Sequence, residues 1–253
     1  MIRSAAAALV AAVGLSVVAG CADGGDDDKA GQSLTVFAAA SLSGAFTELA
    51  EDFETANPGV RVRLSFDGSS GLVDQLAGGA PADVFASADE TSMDRAASDG
   101  LISGSPTVVA TNDLSLITPP GNPAGITGLD ASLDGTRLVV CAEGVPCGTA
   151  TRALAERAGI ELSPVSEESK VTDVRGKVAS GEADAGFVYT TDARAAGDAV
   201  EQIDIALPQR EANRYPVAVL AGAGNPELAQ RFIEVVAGPE GRAVLEQYGF
   251  GPP

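Results

Sequence analysis

Apolar positions along this chain switch repeatedly between two periods. Residues 34–38 (LTVFA) form a short apolar run that predicts a buried strand. Leu42, Phe46, Leu49 and Phe53 follow at helical spacing, and Asn57, Pro58 and Gly59 stop that helix. Val60 to Phe66 alternates apolar and polar side chains, the pattern of a strand with one wet face. Ser69 and Ser70 precede a helix carrying Leu72, Val73 and Leu76, closed by Gly78 and Gly79. Residues 83–86 predict a strand, and 90–98 a helix ended by Gly100. Val108, Val109 and residues 114–117 predict strands at a crossing. After the loop 119–123 (PPGNP) the order restarts. Strands are expected at 137–141, 185–189 and 215–220, and helices at 149–158, 172–180, 226–236 and 240–247. Repeated strand-then-helix order predicts a parallel sheet with helices on both faces. The restart predicts two α/β lobes, with a natural ligand site in the cleft between them.

The first 33 residues stand outside that pattern. Arg3 is followed by an uncharged apolar stretch, 5–19, too short to make a comfortable permanent membrane span. It ends in Val18, Ala19, Gly20 and Cys21, which resembles the bacterial lipobox, with a small residue before a cysteine that takes a diacylglycerol. Residues 1–20 are therefore expected to be a signal peptide and Cys21 the lipidated residue. The acidic, glycine-containing stretch 21–33 is expected to be a solvated tether. No other long apolar run is present, so the lipid would be the only attachment to the cell membrane. From Cys21 onward the chain has 233 residues and a side-chain charge of −20.

Composition removes several kinds of chemistry. The chain has no His, no Trp and three Cys, with 16 Lys+Arg against 35 Asp+Glu. Without His there is no Ser-His or Cys-His dyad and no His-ligated metal. Three cysteines cannot build a four-thiolate metal site. The acidic balance argues against nucleic acid, whose phosphates need clustered cations. Cys141 and Cys147 remain once Cys21 is set aside, and in an oxidising compartment an even pair suggests a disulfide. Two free thiols are the alternative.

Candidate chemistry concentrates at strand-to-helix junctions. Ser41 follows three alanines at such a junction, and Ser69 and Ser70 sit between Gly68 and Gly71 at another. Residues 145–149 (VPCGT) and 172–176 (TDVRG) open two further helices. A helix start offers unpaired N–H groups and a positive dipole end, and several aimed at one cleft would bind an oxyanion without any cation. Taken singly, each Ser or Asp reads more simply as a helix cap. Tyr189 reads as a half-buried tyrosine or as a neutral donor in the cleft, and Arg175 as a paired or solvated surface cation.

These stretches also carry a resemblance. Residues 36–42 (VFAAASL), 79–89 (GAPADVFASAD), 173–176 (DVRG), 186–193 (GFVYTTDA), 215–219 (YPVAV) and 248–250 (YGF) are similar, in the same order, to landmarks of the bacterial molybdate-binding proteins of ABC importers. The resemblance runs from about Leu34 to Phe250. It implies a type II periplasmic-binding-protein fold, α/β, with lobe 1 at 34–113 and 216–253 and lobe 2 at 114–215. It implies a non-enzymatic lipoprotein, monomeric, without cofactor, that binds molybdate or tungstate and delivers it to ABC permease subunits. It implies ligands at Ser41, Ser69, the backbone N–H groups of Cys147 and Val174, and the Tyr189 hydroxyl, with Ser70 an alternative to Ser69. Many relatives have Ala at the position of Cys147. The alternatives are a binding protein for sulfate or phosphate, or a Ser-dependent hydrolase. None of the expected donors titrates near neutrality, so binding is expected to be flat from about pH 6 to pH 8.

Overall fold

Two five-stranded sheets organise the chain in a computed structural model that describes residues 32–205 and 212–253. The expected signal peptide, Cys21 and most of the expected tether lie outside the described residues. In chain order the first sheet and its helices begin with β1 (Gln32–Ala39), α1 (Ser43–Ala56), β2 (Val60–Asp67), α2 (Ser69–Ala77), β3 (Val84–Ala86), α3 (Glu90–Ser98) and β4 (Ile102–Asn112). The second comprises β5 (Leu114–Thr118), β6 (Leu138–Cys141), α4 (Pro146–Ala158), β7 (Ser166–Glu168), α5 (Val171–Ala179), β8 (Ala185–Tyr189), α6 (Thr190–Ala196) and β9 (Glu201–Ile203). The chain then returns through β10 (Asn213–Leu220), α7 (Pro226–Ala237) and α8 (Pro239–Gln247).

The strand orders are β2-β1-β3-β10-β4 and β7-β6-β8-β5-β9. Neither sheet is all parallel, contrary to the expectation from the strand–helix order. β10 runs antiparallel to β3 and β4, and β5 antiparallel to β8 and β9. The cause is the crossing. The chain leaves the first sheet at the end of β4 and re-enters beside that point, with Asn213 paired to Asn112, so the returning strand must run backwards along the outgoing one. β10 thus starts three residues ahead of the boundary expected at 216, and β1 includes Gln32 and Ser33, which were assigned to the tether.

Packing follows the apolar periods. In α1, Phe46, Leu49 and Phe53 are buried, and the rings of Phe46 and Phe53 meet Phe232 of α7 edge to face at 6.1 and 5.3 Å. Asn225 caps α7, its side chain accepting from the Leu228 N–H at 3.0 Å, and Pro226 opens the helix. β4 is much longer than Val108 and Val109 suggest. Its first half is an exposed edge containing Pro106, where a missing N–H costs nothing to the ladder. The short polar elements β7, α6 and β9 carry no apolar period and escaped the sequence reading. Among the described residues no helix is long and apolar enough to cross a membrane.

Candidate functional site

Three helix starts and the end of a strand converge on one small cavity. Its wall includes Ser41, Gly68, Ser69, Cys147, Val171 and Tyr189 and, among the described residues, no Lys or Arg. Ser41 lies in the 3-10 turn Ala40–Leu42 between β1 and α1. Ser69 is the first residue of α2, with Gly68 as the cap residue, so Ser69 is not a capping side chain. Cys147 is the second residue of α4, after Pro146. Tyr189 ends β8 and is buried. Neither α2, α4 nor α5 has a side-chain cap, whereas α3 and α7 are capped by Asp89 and Asn225. The first-turn N–H groups of the three cavity helices are therefore not taken by a capping side chain.

The structure brings together four of the five expected ligands and separates the fifth. Val174 lies one turn inside α5 and packs over β8, where a Cβ on Gly186 would come within 2.7 Å of it. Val174 is fully buried and is absent from the cavity wall. Val171, the first residue of the same helix, lines the cavity instead. The physical reason is where α5 starts. Lys170 is the cap residue, so the free N–H groups belong to the residues just after it, not to the one following Asp173. Of the two adjacent serines, Ser69 lines the cavity and Ser70 does not.

Cys141 and Cys147 form a disulfide with Cα atoms 5.6 Å apart. It ties the end of β6 to the first turn of α4. Gly148 is required beside it, because a Cβ there would lie 2.0 Å from the Ala142 carbonyl oxygen.

A polar network backs the hydroxyls. The Ala88 N–H donates to Ser69 Oγ at 3.0 Å. Ser41 Oγ and the Tyr215 hydroxyl are 3.0 Å apart. Asn112 Nδ2 donates to Thr191 Oγ1 at 2.8 Å and to the Tyr215 hydroxyl at 3.3 Å. Asn213 Nδ2 donates to the Tyr189 hydroxyl at 2.8 Å and to the Ala88 carbonyl at 3.1 Å. Burial, with Tyr215, Asp89 and Asp192 nearby, pushes the Tyr189 hydroxyl well above the ordinary tyrosine range, so it stays a proton donor.

Asp192 is the group the sequence did not reveal. Burial pushes its carboxyl up to about 7, against the opposing pull of Arg175. Arg175 Nη1 is 3.9 Å from Asp192 Oδ1, and Asp192 Oδ2 is buried without a hydrogen-bond partner among the described residues. Arg175 is thus the ion-paired arginine that the sequence allowed, directed at a buried carboxylate. The carboxylate on the cavity wall, Asp67, accepts from the Gly68 N–H at 2.8 Å and from Gln75 Nε2 at 3.2 Å. Among the described residues no cluster of His, Cys, Asp and Glu could hold a metal ion.

Two lobes joined by crossing strands, with uncapped helix starts facing one small cavity, define a solute-binding protein of the periplasmic type. Comparison with known proteins places the chain within that class. Residues 34–251 match the family described as Bacterial extracellular solute-binding protein. The chain is 46% identical over 223 residues to the molybdate-binding protein ModA of Mycobacterium tuberculosis, covering 88% of this chain and 85% of that protein. Its fold matches the periplasmic molybdate-binding protein of Azotobacter vinelandii with TM-score 0.72 at 24% identity, over 87% of this chain and 99% of that one. It also matches the sulfate-binding protein SubI of Mycobacterium tuberculosis with TM-score 0.75 at 19% identity, over 87% of each chain. The chain belongs to the bacterial extracellular solute-binding proteins and, within them, to the family of the molybdate-binding proteins of ABC importers.

Proposed function

We propose that this chain binds molybdate, and tungstate of the same shape and charge, in the cavity between its lobes. The proposed donors are the hydroxyls of Ser41, Ser69 and Tyr189 and the backbone N–H groups of Cys147 and Val171, with Val171 in the role first expected of Val174. The observation that carries the reading is a cavity that gathers three hydroxyls and three uncapped helix starts and, among the described residues, no cationic side chain. Such a wall stabilises a dianion through charge-assisted hydrogen bonds and helix dipoles. The carboxylate on that wall, Asp67, accepts from the Gly68 N–H and Gln75 Nε2, while Ser41 and Ser69 bond to Tyr215 and the Ala88 N–H, so binding rather than turnover is the proposed activity. The same reading makes the protein a monomer, held at the outer face of the cell membrane by a lipid on Cys21, that hands its anion to ABC permease subunits. Calorimetric titration with molybdate, tungstate, sulfate and phosphate tests the ligand. Saturable binding of the first two with much weaker binding of the others is expected. Preference for sulfate or phosphate would overturn the molybdate assignment, and steady ester turnover lost in Ser41→Ala would restore the hydrolase.

A further inference from the structure

Hydrogen-bond polarity around the cavity depends on one residue outside its wall. Asn213 stands at the start of β10, where the chain re-enters the first sheet, and its side chain reaches across to Tyr189 at the end of β8 in the second. Its Nδ2 lies between two oxygens, the Ala88 carbonyl at 3.1 Å and the Tyr189 hydroxyl at 2.8 Å. A carbonyl can only accept. The atom facing it is therefore the amide nitrogen, and the orientation of the Asn213 amide is fixed without appeal to Tyr189. The second amide proton then goes to the Tyr189 oxygen, which acts as acceptor. Tyr189 has one proton of its own, and it must point away from Asn213.

We infer that Asn213 is a positioning residue for anion binding, which acts by turning the Tyr189 hydroxyl proton toward the cavity. Two routes are open to that proton, and both end at the ligand. It can point straight at the anion, because Tyr189 lines the cavity. It can instead turn toward Tyr215, whose ring meets that of Tyr189 edge to face at 5.9 Å and which is among the groups that raise the proton affinity of Tyr189. The Tyr215 proton then goes on to Ser41 Oγ at 3.0 Å, which leaves the Ser41 proton for the anion. Ser69 is set the same way by a donor that cannot reverse, the Ala88 N–H at 3.0 Å. Asn213 also holds the Ala88 carbonyl, so one side chain links the backing of Ser69 to that of Tyr189. Hydrogen bonds in such a chain polarise one another, so the donor at its head strengthens the donor at the anion.

The inference rests on the proposed oxyanion binding, and a double-mutant cycle tests it. Molybdate is titrated into the wild-type protein, Asn213→Ala, Tyr189→Phe and the double variant, by calorimetry and by tyrosine fluorescence, which no tryptophan obscures. Asn213→Ala is expected to weaken binding about 5- to 20-fold, less than outright loss of a hydrogen bond to the anion, because the Tyr189 hydroxyl remains and only its orientation is released. In the Tyr189→Phe background the same change should cost less than about twofold, because the hydroxyl it orients is gone. Asn213→Thr keeps a strand-forming residue without the amide and should behave as Asn213→Ala does. Melting of the ligand-free proteins separates positioning from folding, since a purely structural role lowers stability equally in both backgrounds. Equal fold-losses with and without the Tyr189 hydroxyl, or unchanged affinity in Asn213→Ala, would overturn the inference while leaving the proposed function standing. Failure of the wild-type protein to bind molybdate would instead remove the proposed function, and the inference with it.

Discussion

Gly68 in the first lobe lies directly against the backbone of Ser169 in the second: a Cβ added to Gly68 would sit 2.2 Å from the Ser169 carbonyl oxygen. The lobes therefore meet at a point beside the cavity where only glycine fits. A side chain there would hold them apart, and donors from both lobes could not reach one anion together.

Gly68→Ala should accordingly weaken molybdate binding. Overpacking of this kind costs about 1–3 kcal/mol, which corresponds to roughly 5- to 150-fold in affinity if closure is required. Gly71→Ala on the same helix is the control, because its Cβ would meet nothing nearer than 3.9 Å. Scattering at saturating ligand should also show a larger radius of gyration for Gly68→Ala than for the wild-type protein. Equal affinities for the two alanine variants would show that this contact does not govern binding.

Asp192 introduces a pH dependence where the sequence led us to expect none. The folded carboxyl titrates at about 7 and the unfolded one near the ordinary 3.8. Between those values the folded chain holds a proton that the unfolded chain has released. The stabilisation from this group is thus complete below about pH 4 and is lost as pH rises to about 7. A dianion near Tyr189 and Tyr215 acts in the same direction, favouring protonated Asp192 despite the Arg175 guanidinium. Affinity should fall as pH rises from 6 to 8. If the anion lifts the carboxyl by about one further unit, the fall over that range is about fivefold, approaching tenfold only at higher pH. Asp192→Asn should flatten the profile. A wild-type profile already flat over that range would remove Asp192 from the binding equilibrium.

The disulfide should matter more for stability than for ligand choice. A bridge spanning six positions contributes about 2 kcal/mol in the loop-entropy description. Reduction, or the double change Cys141→Ala and Cys147→Ala, should lower Tm by about 4–8 °C in a chain of this size. Molybdate should still bind, because the donor at Cys147 is its backbone N–H. Scanning calorimetry with and without reductant measures the first effect, and titration of the reduced protein measures the second. Loss of all binding on reduction, with the fold retained, would mean that the bridge itself sets the geometry of the site.

How far the sequence reached depends on the range over which each feature is encoded. Ser41, Ser69 and Tyr189 were visible because each ends or begins an element whose apolar period can be read. Helix α5 was visible too, but its start was not. The expectation at Val174 came from the resemblance alone, and the local reading began the helix at Thr172, whereas it begins at Val171. Asn213 and Asn112 stand about a hundred residues apart in the chain and meet only because β10 returns beside β4. No local pattern carries that. Asp192 in the sequence is one acid among 35, and its unusual proton affinity comes from burial, which only packing decides.

The choice between Val171 and Val174 can be settled by removing a single backbone N–H. Proline does this, and its usual damage to a helix is absent at the first helical position, where the N–H has no partner within the helix. Val171 occupies that position in α5. Lys170 before it is already extended, with φ −152° and ψ 153°, the region that a following proline requires. Pro146 opens α4 on the same cavity wall, so a proline ring is already accommodated at an equivalent place. Val171→Pro should therefore keep α5 intact while deleting one donor to the anion. Loss of a hydrogen bond to a charged group costs about 1.5–3 kcal/mol, or roughly 10- to 150-fold in molybdate affinity. Val171→Ala retains the N–H and should bind within about twofold of the wild-type protein. Val174→Ala should lower stability, since it empties space over Gly186, yet leave affinity nearly unchanged. If Val171→Pro binds as tightly as Val171→Ala, with circular dichroism unaltered, the donor from α5 is not the Val171 N–H, and the ligand set first expected around Val174 regains its standing.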